Sequence, residues 1–151
     1  MKVYVSYSSV QCFVDKVAAY FNEEGIQLTG VFGIPRGGLV LAVMISHKMN
    51  IPLLMSPTEG CLIVDDICDS GESLVHYVKN TSSPNKPKYY TATMYYKDNE
   101  LGIVPFIYDC IKGDDWIIFC WESSLEDARK EFPNEVIKVA DDANMHHPQK
   151  G

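Results

Sequence analysis

One short segment limits the folds open to this chain. Cys61-Leu62-Ile63-Val64 is an apolar run that leads straight into Asp65-Asp66. A third acid follows at Asp69, and Ser70-Gly71-Glu72-Ser73 then opens a helical pattern. A buried strand that ends at a glycine-bearing turn and feeds a helix is the repeating piece of an α/β fold with a parallel sheet. The same segment carries chemistry. Carboxylates suit sugar hydroxyls, a metal or a proton, and backbone N–H groups at a helix start suit a phosphate. A ligand with both a phosphate and a polyhydroxylated sugar would use all of it.

The rest of the chain supplies similar pieces. Residues 2–7 alternate weakly and suggest a short edge strand. Val10, Phe13, Val14, Val17, Ala18 and Phe21 follow helical spacing, with Gly25 as the stop. A buried strand is expected over 29–34, broken by Pro35-Arg36-Gly37-Gly38, and then a helix over 39–49, apolar on most faces and therefore buried, stopped by Asn50 and Pro52. A short strand over 53–55 and a turn over 56–60 lead into the acidic strand, 61–65, and a helix over 71–80. A loop over 81–87 precedes β-rich residues 88–96, and a polar link at 97–100 leads to an extended stretch around 103–108. A strand over 116–121, a helix over 124–132 capped by Ser123 or Ser124, and a strand over 136–139 complete the pattern. One domain over 1–140 is expected, with a flexible polar tail over 141–151. Ligands of such sheets sit at the carboxyl ends of the strands. Both glycine-bearing turns fall at such ends, so they are expected to face one site.

Charge and cysteine usage narrow the function. A net charge of −7 over 151 residues argues against nucleic acid, whose non-specific binding needs basic surface. No apolar run approaches the ~20 residues of a membrane span, and the first residues lack the apolar centre of a signal peptide. Five cysteines without a CxxC pair are expected to be reduced thiols, as in the cytoplasm. His146-His147 lie in the polar tail, where a metal role would need further ligands, and the tyrosine-rich 89–96 is more simply a strand than a stacking platform.

A single Asp in a strand-to-helix loop is usually solvated or a cap. Three in five residues repel one another unless a ligand, a metal or hydroxyl donors compensate. Pro35-Arg36-Gly37-Gly38 could be a tight turn with a surface arginine. Beside the acidic segment it fits a second, multiply charged phosphate group: the glycines admit an anion to the backbone, and Arg36 offers bidentate donors.

These residues carry a resemblance. Ile63-Val64-Asp65-Asp66-Ile67-Cys68-Asp69-Ser70-Gly71-Glu72-Ser73 resembles the phosphoribosyl pyrophosphate (PRPP) motif of the type I phosphoribosyltransferases. Gly33-Ile34-Pro35-Arg36-Gly37-Gly38-Leu39 resembles their pyrophosphate loop. Asp115-Trp116-Ile117-Ile118-Phe119-Cys120-Trp121-Glu122 is similar to the purine-pocket segment of the xanthine/guanine branch, with Cys120 where Pro is common. The resemblance implies transfer of a phosphoribosyl group from PRPP to a 6-oxopurine: xanthine, guanine or hypoxanthine. It implies Asp65 and Asp66 at the ribose hydroxyls and at Mg2+, directly or through water. Asp69 would take the purine proton. Ser70, Gly71, Glu72 and Ser73 would hold the 5′-phosphate, and Arg36, Gly37 and Gly38 the pyrophosphate. Lys97, Trp116 and the Ile117 backbone would face the base. A homo-oligomer is implied as well.

One departure stands out. The family carries a long loop, or hood, before the acidic strand, and here only residues 56–60 occupy that place. That shortening keeps a second reading open: a non-catalytic sensor or regulator that binds PRPP or a nucleotide on the same fold. A nucleic-acid-binding regulator on this fold fits the acidic charge poorly.

Overall fold

Every pairing between strands is parallel, as the alternating pattern requires. The structure, a computed structural model, describes residues 1–78, 88–111 and 113–148. Along the chain it forms β1 (Lys2–Val5), α1 (Tyr7–Glu23), β2 (Val31–Gly33), α2 (Gly37–Met49), β3 (Leu62–Cys68) and α3 (Glu72–Val78). Then follow β4 (Tyr90–Tyr96), β5 (Ile107–Cys110), β6 (Trp116–Phe119), α4 (Leu125–Glu131) and β7 (Ile137–Ala140). The strands divide into two sheets, ordered β2-β3-β4-β5 and β6-β1-β7. One core joins them: Val3, Val5 and Phe119 of the smaller sheet pack in the same cluster as Val31, Val64, Ala92 and Ile107 of the larger. Phe13 and Phe21 of α1 and Leu41 and Ile45 of α2 fill the space between, each fully buried. Each such side chain contributes roughly 1.5–3 kcal/mol through apolar burial.

Local chemistry sets the helix ends. The Ser6 hydroxyl accepts from the Ser9 N–H at 3.2 Å and starts α1. Ser124 does the same for Asp127 at 3.0 Å and starts α4. Asn50 ends α2 in the left-handed region, at φ 52°.

Several expectations are corrected. The first strand is no edge: β1 is the central strand of its sheet, bonded to both β6 and β7. The acidic strand does not stop at Asp65; its ladder with β4 carries it through Asp65↔Thr93 to Cys68↔Tyr96. α2 is only half buried, with Leu39 and Val43 on its open side at 44% and 41% exposure. The expected strand at 53–55 is a single bridge from Leu53 to Val31. The extended stretch near 103–108 pairs later than expected, as β5.

The tail is bonded back as far as it is described, to residue 148. The Ser9 hydroxyl donates to the Asp142 carbonyl at 2.7 Å, the Asn144 N–H donates to Asp109 at 2.9 Å, and Tyr108 and His146 exchange backbone bonds. The loop expected over 81–87, the last residues of the helix expected over 71–80, and the final residues 149–151 lie outside the described residues.

The turn over 56–60 is held at the amino ends of the strands. Thr29, ahead of β2, donates its N–H to the Gly60 carbonyl at 3.1 Å, and the Gly60 N–H donates to the Lys88 carbonyl, ahead of β4, at 2.8 Å. Arg36 and the acids stand at the opposite, carboxyl ends.

Candidate active site

The cleft is set by how closely α2 approaches β3. A Cβ on Gly38 would meet the Val64 carbonyl oxygen at 2.5 Å, and one on Gly33 would collide with the Gly38 carbonyl. Only glycine lets the first turn of α2 sit on the strand here. Gly37 likewise lies directly against the Asp66 carboxylate. Arg36 occupies the N-cap position of α2, and the peptide bond joining it to Pro35 is cis. Between α2 and β3 lies a cavity of about 880 Å3 lined by Arg36, Gly37, Asp65, Asp66, Ser73 and Glu122, among others.

The two adjacent acids hold themselves in place. Asp65 accepts the Asp66 N–H at 2.8 Å, and Asp66 accepts the Ile67 N–H at 2.8 Å. Their environments differ. Asp65 is 7% exposed, whereas Asp66 is half-buried. Burial, reinforced by the hydrogen bond and charge of Asp66, pushes the Asp65 carboxyl up to about 8. Glu122 is also held above the usual carboxylate range, by burial and then by repulsion from Asp66, with Arg36 among the groups that offset it. Burial and the charges of Asp65 and Asp69 push the Cys68 thiol up to about 11, which makes it a poor nucleophile.

A second cavity of about 550 Å3 adjoins the helix start and is lined by Asp69, Ser70, Glu72, Asp98, Asn99, Glu100 and Leu101. Gly71, at φ 83°, turns the chain between the two cavities, and a side chain there would press on Asn99 and Ile103 at 3.1 Å. Asn99 braces that wall by donating to the Ile103 carbonyl at 2.8 Å and accepting its N–H at 3.0 Å.

No protein-family model matches the chain. Among curated proteins it is similar to the xanthine-guanine phosphoribosyltransferase of Cereibacter sphaeroides, 30% identical over 122 residues, covering 64% of this chain and 70% of that protein. The chain belongs to the xanthine-guanine phosphoribosyltransferase family. The Desulfotalea psychrophila member is 27% identical over 120 residues, covering 64% of this chain and 72% of its own length. Among solved structures, the purine phosphoribosyltransferase of Pyrococcus horikoshii superimposes with a TM-score of 0.64 at 26% identity, covering 81% of this chain and 94% of that one. The Helicobacter pylori xanthine-guanine-hypoxanthine phosphoribosyltransferase, at 19% identity, shares the fold with a TM-score of 0.65, over 86% of this chain and 98% of its own.

Against this xanthine-guanine phosphoribosyltransferase framework the expected site residues separate into groups. Arg36, Gly37, Asp65, Asp66 and Ser73 line one cavity, while Asp69, Ser70 and Glu72 line its neighbour. Gly38 lines neither and serves the helix–strand contact. Lys97 donates its backbone N–H to the Cys68 carbonyl at 2.9 Å and its ammonium to the Asp115 carbonyl at 3.4 Å, so it bridges the end of β4 to the residue before Trp116. Trp116 is 62% exposed, with the Lys2 ammonium 5.3 Å from its ring centre, and it lines neither cavity. Ile117 is buried and paired with Val3. Trp121 and Glu122 also line the main cavity; in sequence they are the Trp-Glu that closes the purine-pocket segment.

Proposed function

We propose that the protein transfers the 5-phosphoribosyl group of PRPP to a 6-oxopurine base, giving a nucleoside 5′-monophosphate and pyrophosphate. The observation that carries this reading is the single cavity shared by Arg36, Asp65, Asp66 and Ser73, in a chain whose curated relatives are xanthine-guanine phosphoribosyltransferases. In the reaction the bond from the anomeric carbon to pyrophosphate breaks and its electron pair leaves with the pyrophosphate. A purine ring nitrogen forms the new bond to that carbon, and its proton passes to Asp69. Arg36 and the backbone beside Gly37 hold the leaving group. Asp65 and Asp66 hold the ribose hydroxyls, and Ser70, Gly71, Glu72 and Ser73 hold the 5′-phosphate, through N–H and hydroxyl groups. Lys97, Trp116 and the Ile117 backbone serve the base. The protein mainly positions its reactants and balances charge.

The donor set fits magnesium. Among the described residues no three His, Cys, Asp or Glu side chains form a metal cage, and Asp65 and Asp66 offer two hard-oxygen ligands. Mg2+ commonly takes one or two carboxylates and completes its shell with substrate phosphates and water. Bound there, it would neutralise charge on the departing pyrophosphate.

The partners in this reading are PRPP, a purine base and further copies of the same chain, with neither nucleic acid nor membrane. Among the described residues no helix is long and apolar enough to cross a membrane. The five cysteines are all free, which supports a cytoplasmic setting. Residues 1–140 would act as one unit. A second reading, ligand sensing without turnover, is favoured by one observation: the 56–60 turn lies at the amino ends of the strands, away from the cleft. Incubation with PRPP, Mg2+ and each of xanthine, guanine, hypoxanthine and adenine decides between the two. Nucleotide formation with an oxopurine, lost in Asp69→Asn, supports transfer. Calorimetric PRPP binding without nucleotide formation supports sensing.

A further inference from the structure

Thr93 sits in the middle of β4, fully buried, and among the buried side-chain oxygens and nitrogens of the described residues its hydroxyl alone has no hydrogen-bond partner. A buried hydroxyl without a partner is costly, and a valine in the same β-strand would avoid the cost. Its position explains why threonine stands there. Thr93 is registered directly against Asp65 on β3. Its neighbours Ala92 and Met94 pack into the core beneath α1 and α2, as does Val64. Paired at one level of the β3–β4 ladder, Thr93 and Asp65 project to the same face of the sheet. Neighbouring strands lie about 4.8 Å apart, so side chains paired on one face are within reach of one another.

We infer that Thr93 is a positioning residue: on ligand binding its hydroxyl turns to donate to the Asp65 carboxylate and fixes the orientation in which Asp65 meets the ligand's hydroxyl groups. One Asp65 oxygen, Oδ1, accepts the Asp66 N–H, and a carboxylate has a second oxygen that can accept as well. A donor buried beneath the strand can restrain that second oxygen without occupying the cavity, which Thr93 does not line. The inference rests on the proposed reading of the cleft as a PRPP site.

The test compares wild type with Thr93→Val, Thr93→Ala and Thr93→Ser. Binding of PRPP with Mg2+ is followed by calorimetry, and Tm is measured without ligand. Thr93→Val is expected to raise Tm, because it removes the orphaned hydroxyl, and to weaken PRPP roughly ten- to hundredfold. Thr93→Ala, which does not depend on the fit of a larger methyl pair, should weaken PRPP similarly. Thr93→Ser should bind as wild type does. In turnover, KM for PRPP should rise in the Val and Ala variants while KM for the base stays put. Wild-type PRPP affinity in Thr93→Val, or affinity lost equally in Thr93→Ser, overturns the inference and leaves the function standing. Failure of the wild type itself to bind PRPP overturns the proposed function and the inference with it.

Discussion

The carboxylate of Asp66 fills the space in which a methyl group on Gly37 would have to sit. Glycine at 37 is thus required by an acid 29 positions later in the chain, and the contact sets the width of the cleft. Gly37→Ala should push the Asp66 side chain away. The expected outcome is a loss of stability of about 1–3 kcal/mol. PRPP affinity should fall at least tenfold, because Asp66 and the α2 turn move apart. Denaturant titration and calorimetry read the two effects separately.

Asp65 gives the pH dependence its sign. Its folded carboxyl is pushed up to about 8 from an ordinary value of 3.8, first by burial and then by Asp66. Below the ordinary value folded and unfolded chains both keep the proton. As pH climbs from there towards 8 the unfolded chain has already released it, so the stability that the neutral carboxyl contributes is progressively lost. Asp65→Asn, measured in EDTA, should therefore flatten the fall of stability between pH 4 and 8. At the upper end it should exceed wild type by on the order of a few kcal/mol. Transfer activity should vanish in the same variant. An unchanged slope would remove Asp65 as the cause.

The two tryptophans should behave differently. Trp116 is largely exposed, whereas Trp121 lines the main cavity and stacks on Phe119 at 4.5 Å between ring centres. Trp116→Ala should change stability by less than about 1 kcal/mol. It should still raise KM for the base roughly tenfold if the ring stacks on the purine. Trp121→Ala should lower both stability and PRPP affinity. Steady-state kinetics beside thermal melts would separate them.

Arg36 makes a sharper test of the leaving-group end. Pyrophosphate should inhibit wild type competitively with PRPP. Arg36→Ala should weaken that inhibition by roughly ten- to a hundredfold, as expected for loss of a charge-assisted bidentate contact. Arg36→Lys should recover only part, because a point charge cannot reproduce the planar fork. Equal inhibition of all three proteins would take pyrophosphate away from this turn.

What the sequence discloses depends on the distance over which each feature is decided. α1 is legible because Val10, Phe13, Val17 and Phe21 follow one helical face, but its start is not: Ser6 and Tyr7, expected in a strand over 2–7, are the N-cap and first residue of the helix. The cleft is legible for the same reason as the helical face: Pro35-Arg36-Gly37-Gly38 is a local turn after a strand, and Asp65-Asp66 lie in the acidic strand whose carboxyl end faces it. The central place of β1 is not legible, since its partners begin at Trp116 and Ile137. Nor is the open face of α2, where Leu39 and Val43 share the apolar character of Leu41 and Ile45, and only packing separates them. Asp69 and Asp66 line different cavities on either side of the turn at Gly71, where a side chain would crowd Asn99, a neighbourhood with no trace in spacing. The orphaned hydroxyl of Thr93 appears only once β3 and β4 are in register.

The position of β1 has a kinetic consequence. Its two neighbours are synthesised more than a hundred residues after it, so β1 is among the last strands to find its place. The four-stranded sheet, with Arg36 and all three acids, can assemble from residues 31–110 while β1 waits. Closing so large a loop is slow compared with local pairing. The wall of the cleft that carries Trp121 and Glu122 belongs to the late part. A nascent chain would thus have Arg36 and the three acids in place before Trp121 and Glu122 complete the cavity around them.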